Sequence, residues 1–128
     1  MRTFARVFAV VANLVLLDAV TKEWAAAKLK GAASRPVLPG FFDLAYVENR
    51  GCAWGLFQHH VWPLALAGIA ALVFLVWKRR EIFHVDASGW RRRCGAACEC
   101  ILYAGIAGNL IDRVFRGYVI DFLDFHWG

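Results

Sequence analysis

Several carboxylates of this chain sit among apolar neighbours. Asp121 lies in the run Val119-Ile120-Asp121-Phe122-Leu123-Asp124-Phe125, flanked on both sides by large apolar residues. Desolvation disfavours a charged carboxylate and raises its pKa, which is the condition for a general acid or base near neutral pH. Just upstream, Asn109, Asp112 and Arg113 share one turn of a predicted helix. Asp18 precedes Lys22 by four residues, the favourable order for a helical ion pair. Glu99 stands between Cys98 and Cys100 in an apolar run, where a carboxyl is expected to be buried and neutral. Spacing alone leaves other roles open. Asp112 and Arg113 suit a helix cap or a salt bridge, Asp18 and Lys22 an interfacial anchor, and Asp121 and Asp124 the wet side of a strand or turn. Cys94, Cys98 and Cys100 lack the paired spacing of a zinc or redox motif, and His59, His60, His84 and His126 form no spaced cluster, so no metal or other cofactor is expected.

These residues must be positioned by a membrane protein. The 128 residues are 60% hydrophobic and 20% charged, against about 45–50% and 25% in soluble domains, and the mean hydropathy is +0.49. Disordered, collagen-like and disulfide-scaffold chains are excluded on the same grounds. One membrane domain over 1–128 is expected, with spans at about 4–20, 61–77 and 94–111, each near the ~17–25 residues that cross the hydrocarbon. A cleaved leader would need a less charged approach to Ala25, Ala26 and Ala27 than Asp18, Lys22 and Glu23 provide, so the first run is taken as an uncleaved span. The net charge of +5 does not indicate nucleic acid, because the basic residues flank the spans. Eight of them, Arg2, Arg6, Lys78, Arg79, Arg80, Arg91, Arg92 and Arg93, lie before the first span or between the second and third, against five in 21–60. The positive-inside rule then places the N-terminus and 78–93 in the cytoplasm, and 21–60 and the residues after 111 outside.

Between the first two spans, Pro36, Pro39 and Gly40 break any helix. Phe42, Leu44 and Tyr46 then alternate with Asp43, Ala45 and Val47, the period of a half-exposed strand. Glu48-Asn49-Arg50-Gly51 supplies turn residues and Cys52 to Phe57 a second apolar run, so a small hairpin or curled sheet over about 36–60 is expected on the outer surface. The fold class is thus an all-α integral membrane protein, with three transmembrane helices and a small extracytoplasmic β-hairpin or cradle. Gly105, Gly108, Ala104 and Ala107 offer small surfaces for close helix contact in the third span.

Four motifs in order resemble the lipoprotein signal peptidases, or signal peptidase II, a family of integral-membrane aspartic peptidases. Asp18-Ala19-Val20-Thr21-Lys22 is similar to the family's Asp-x-x-Thr/Ser-Lys motif. The stretch from Phe41 to Trp54, containing Asn49-Arg50-Gly51-Cys52-Ala53-Trp54, resembles its Asn-x-Gly-Ala-Ala-Phe segment and the strand before it. Gly108-Asn109-Leu110-Ile111-Asp112-Arg113 and Val119-Ile120-Asp121-Phe122 resemble its Gly-Asn-x-x-Asp-Arg and Val-Val-Asp-Phe motifs. The resemblance implies four transmembrane helices, an outer sheet cradling the substrate, and cleavage of bacterial prolipoproteins before a diacylglyceryl-modified cysteine, in the cytoplasmic (inner) membrane with the active site on its outer face. The implied partners are that prolipoprotein and membrane lipid. By motif position Asp121 is the first catalytic aspartate, Asn49, Gly51, Asn109 and Arg113 contact substrate, and Asp18, Lys22 and Asp112 support the pocket.

The sequence departs from the family at Cys52 and Trp54, where Ala and Phe are usual, and at Glu99, where apolar residues are expected. The family's Asn-x-Ala-Asp motif, whose aspartate completes the catalytic pair on a fourth helix, does not occur in the 128 residues. The chain therefore reads as a truncated form or fragment of the peptidase, or as a non-enzymatic scaffold or lipopeptide-binding remnant that keeps the pocket residues.

Overall fold

The structure is a computed structural model that describes residues 2–52, 56–57 and 59–126, with side chains from Phe4 onward. In chain order the elements are helix α1 (Arg2–Leu29), strands β1 (Arg35–Leu38) and β2 (Phe42–Asn49), helices α2 (Val61–Trp77), α3 (Arg79–Ile82) and α4 (Gly89–Arg116), and strand β3 (Val119–Phe125). Two helices, α1 and α4, are long and apolar enough to cross a membrane, and α2 is a shorter apolar helix. At 1.5 Å per residue the 17 residues of α2 span about 25 Å. Phe8, Leu16, Leu66, Val73 and Ile101 stand exposed along the three helices.

The helices outrun the expected spans. A hydropathy window ends where charge begins, whereas α1 continues through Asp18, Lys22 and Glu23 to Leu29 because that turn is packed against α4. Val7, Lys22, Ala25 and Leu29 are buried, with Val11, Leu14 and Asp18 partly so. The spacing of three and four makes one stripe along α1. Opposite it, α4 buries Gly95, Glu99, Tyr103, Ala104, Gly108 and Asp112. Of the small residues at 104–108, Gly108 makes the close approach to α1: a Cβ there would overlap an Asp18 carboxylate oxygen and lie 3.0 Å from Asp18 Cγ, while Gly105 faces open space.

The β layer corrects two expectations. The chain is not all-α, and the layer is not a hairpin of residues 36–60. It is a three-stranded antiparallel sheet in the order β1-β2-β3. The expected strand 42–47 is its centre, extended through Glu48 and Asn49, which were expected in the turn, and its partners are 35–38 and 119–125. Of the apolar run 52–57, the described residues Cys52, Leu56 and Phe57 are turn or bend, while Ala53, Trp54 and Gly55 lie outside the described residues, and with them the Trp54 departure. Local periodicity marked β2 but could not name a partner 72 residues away. Register does: Asn49 pairs with Val119, Val47 with Asp121 and Asp43 with Asp124, with an irregularity between Leu44 and Val47. Gly117, left-handed at φ 77°, ends α4 and turns the chain into β3.

At the far end of the helices from the sheet, Glu99 is 1% exposed but not isolated. Both Arg79 Nε and Arg79 Nη2 donate to it, and the guanidinium lies 5.5 Å from the Phe4 ring centre. The partner came from α3, which no helical spacing within α4 could indicate.

Candidate active site

The sheet and the adjoining ends of α1 and α4 bring together side chains from four motifs. Asn49 and Asp121 are offset by two positions across the β2–β3 pair, so they share a face of the sheet. Asn49 Nδ2 donates to Asp121 Oδ2 at 2.8 Å and to the Cys52 carbonyl at 3.1 Å, while Asn49 Oδ1 accepts from the Gly51 N–H at 2.9 Å. The asparagine thereby fixes both the turn after β2 and the orientation of the aspartate. Arg113 Nη2 donates to the Gly51 carbonyl at 3.0 Å, tying that turn to α4. Asp121 itself is exposed, while Ile120 behind it is among the most buried residues of the chain.

Behind the aspartate lies a buried ion network. Lys22, 4% exposed, donates to Asp18 Oδ2 at 2.7 Å, lies 2.8 Å from Asp112 Oδ2, and donates to Asn109 Oδ1 at 3.3 Å. The expected Asp18–Lys22 pair therefore forms, but it is part of a larger cluster and not a surface anchor. Asp112 is also 3.2 Å from Arg116 Nε, and Arg116 pairs in turn with Glu23. Arg113, the sequence neighbour of Asp112, turns away to Gly51 because adjacent helical residues do not face each other. Glu23 and Arg116 were not among the expected site residues. Glu23 is exposed and outside the buried stripe of α1, and its pairing with Arg116 spans 93 positions, so no local signal marked it.

A cavity of about 310 Å³ joins these parts. Asp18, Lys22, Asn109 and Asp121 line it, with Ile120, Phe122 and Leu123 as its apolar wall. Asn109 also lines a second space of about 150 Å³ between α2 and α4, beside Gly68, Ile106 and Arg113. The carboxylate that shares the cavity with Asp121 is Asp18. Asp112 is covered by Lys22 and Arg116, and Asp124, three residues along an extended strand, is directed to the other face.

The C-terminal end of α1 is held to the sheet through a second cluster. Lys30 Nζ donates to Glu48 at 2.9 Å, and Tyr46 OH donates to the same carboxylate at 3.2 Å. Burial, then hydrogen bonding to Tyr118 and Glu48, pushes the Tyr46 phenol up to about 12. The Lys30 ammonium holds the Glu48 carboxyl below its ordinary value.

The fit at Gly108 gives an expected result. Gly108→Ala forces its methyl into Asp18 and should lower stability by about 1–3 kcal/mol, the range for overpacking. Gly105→Ala, with nothing within 4 Å of the new methyl, should change little. Thermal melts in detergent compare the two, and equal melting points would contradict the packing.

Comparison with known proteins agrees with this arrangement. The family model described as signal peptidase (SPase) II matches residues 10–128. The lipoprotein signal peptidase of Syntrophotalea carbinolica is 38% identical over 126 residues, covering 95% of this chain and 74% of the relative. That of Clostridium acetobutylicum is 36% identical over 121 residues, covering 92% and 73%. Two solved structures, each described as a bacterial membrane enzyme, superpose with TM-scores of 0.71 and 0.68 at 26% and 27% identity, over 95% and 94% of this chain and 71% and 74% of theirs. This chain belongs to the signal peptidase II family of membrane peptidases.

Proposed function

We propose that the protein removes signal peptides from diacylglyceryl-modified bacterial prolipoproteins by aspartic-type hydrolysis, with Asp121 as one of the two catalytic carboxylates. The observation that carries this is the cavity in which Asp121, oriented by Asn49, faces a polar wall of Asp18, Lys22 and Asn109 and an apolar wall of Ile120 and Phe122. Two close carboxylates share one proton. The ionised one takes a proton from water as the oxygen attacks the scissile carbonyl, and the protonated one polarises that carbonyl and then delivers its proton to the departing amine. Asn49, Gly51, Asn109 and Arg113 line the path of the substrate backbone, and Asp18, Lys22 and Asp112 hold α1 against α4 beneath it. In the family the second carboxylate belongs to the Asn-x-Ala-Asp motif, which does not occur in residues 1–128. Asp18 does not replace it, because its Oδ2 is engaged by the Lys22 ammonium at 2.7 Å.

The test is in vitro processing of a diacylglyceryl-modified prolipoprotein by purified protein, with residues 1–128 alone and joined to a downstream helix carrying that motif. Cleavage sensitive to the family's inhibitor globomycin is expected only of the joined form. Cleavage by residues 1–128 alone would assign the second carboxylate to Asp18.

We also propose that α1, α2 and α4 each cross the cytoplasmic membrane, with 78–93 in the cytoplasm and the sheet outside. The support is the excess of basic residues at the end away from the sheet. Asp86→Cys, in a background with the four native cysteines replaced, should react with an impermeant maleimide only after the inner membrane is opened. Labelling in intact spheroplasts would invert the orientation and place the Asp121 cavity on the wrong side.

A further inference from the structure

At the end of the helices opposite the sheet, a groove of about 330 Å³ runs between the 82–84 segment and the first turns of α4. It exists because Gly95 lets this segment lie directly on α4: a Cβ at Gly95 would collide with the Phe83 carbonyl, lying 2.8 Å from its carbon, and Phe83 is itself 3% exposed. Past Phe83 the backbone turns left-handed at His84, φ 50°, a conformation uncommon outside glycine. The groove has a polar mouth, His84 and Arg91, and an apolar flank, Ile82 and Trp90, and it opens along Cys94 and Cys98, which are exposed one turn apart on the membrane-length helix α4.

The charges around it are distributed unevenly. Lys78 is neutralised by Glu81, Arg79 by Glu99, and Arg92 donates to the Val85 carbonyl. Arg91 has no carboxylate partner among the described residues and points its charge at the groove mouth. Neither Glu81 nor Asp86 lines the space. Trp90, 72% exposed, is the residue type that settles at the level of lipid headgroups.

We propose that this groove binds one anionic glycerophospholipid, with its phosphate and anionic headgroup at Arg91 and His84 and its glycerol and upper acyl chain along Trp90, Cys94 and Cys98. Charge complementarity selects an anionic over a zwitterionic lipid, since the mouth carries a cation without a partner. The apolar flank and the opening along α4 select a lipid over a soluble phosphate ester, which would leave Ile82 and Trp90 uncovered. The site rests on the membrane placement of α4 and is independent of the chemistry at Asp121, from which the length of α4 separates it.

The experiment is native mass spectrometry of the purified chain in detergent, titrated with dioleoyl phosphatidylglycerol or dioleoyl phosphatidylcholine. One phosphatidylglycerol adduct should form with affinity about fivefold or more above that of phosphatidylcholine, the factor expected of a single cation near a lipid headgroup. Arg91→Gln should remove the preference, and Cys94→Trp, which fills the groove, should remove the adduct. Arg93→Gln, an exposed cation that does not line the groove, should leave both intact. Excess glycerol 1-phosphate should not compete. Equal binding of the two lipids would overturn the proposal. So would a preference that survives Arg91→Gln or is lost equally in Arg93→Gln, either of which indicates diffuse surface charge. Competition by glycerol 1-phosphate would assign the groove to a soluble ester, and dimeric ions displaced by lipid would assign it to a second copy of the chain. A failed peptidase assay would leave this result unaffected, so the two proposals fail separately.

Discussion

Asp121→Asn should abolish prolipoprotein processing in an enzyme that carries the downstream aspartate, while Asp124→Asn leaves most of it. Acid–base catalysis by a positioned side chain contributes about 10²–10⁴-fold, and loss of one member of a carboxylate pair also removes the shared proton, so turnover should fall at least ~10²-fold. Asn49 can still meet the amide that replaces Asp121, because an asparagine oxygen accepts from its Nδ2 as the carboxylate did. The fold and substrate affinity should therefore survive. Asp124 lies on the opposite face of β3 and pairs in register with Asp43, so neutralising it removes a like-charge juxtaposition that opposes sheet pairing. Asp43 retains Ser34 at 3.1 Å and His126 at 3.3 Å. Gel-shift processing assays with matched protein levels separate the two variants. Equal losses, or activity without Asp121, would move the site.

Lys22→Met should be the most destabilising single change in the chain. It leaves Asp18 and Asp112 facing each other without the ammonium that lies 2.7 and 2.8 Å from them. Breaking a buried pair by removing one partner costs about 3–5 kcal/mol, a large part of the ~5–15 kcal/mol that holds a domain together. Loss of folded protein from the membrane is expected, measured as protein level and as melting temperature in detergent. Replacing the charges together, Lys22→Met with Asp18→Asn and Asp112→Asn, should recover part of the loss, since it is the uncompensated charge that is costly. Arg116→Ala should cost far less. Asp112 loses one of two cations but keeps the Lys22 ammonium, and the other partner, Glu23, is mostly exposed, where pairs contribute about 0–1 kcal/mol. A stable Lys22→Met protein would show that the cluster is solvated in the membrane-bound state.

What separates these predictions from a motif match is the contact each residue makes. The sequence by itself determined the membrane class, because sixty per cent apolar residues in runs of about twenty have few alternatives. It also determined the central strand, through the alternation after Phe42, and the four motifs in order. Each of these is a local signal: period, composition or spacing within a few turns. The partners were decided only by the tertiary structure. Asp18 and Lys22 meet as spacing expected, but the same ammonium closes on Asp112, 90 residues on, and only the packing of α1 on Gly108 brings them together. Glu99 gave no hint of Arg79, nor Asn49 of Asp121. The expected hairpin forms only in part, between β1 and β2, for the same reason: the other edge of β2 is satisfied by a strand that the chain reaches only after three further helices. Backbone donors and buried charges must be paired somewhere; the sequence states the need, and the path of the chain through space decides which residue meets it.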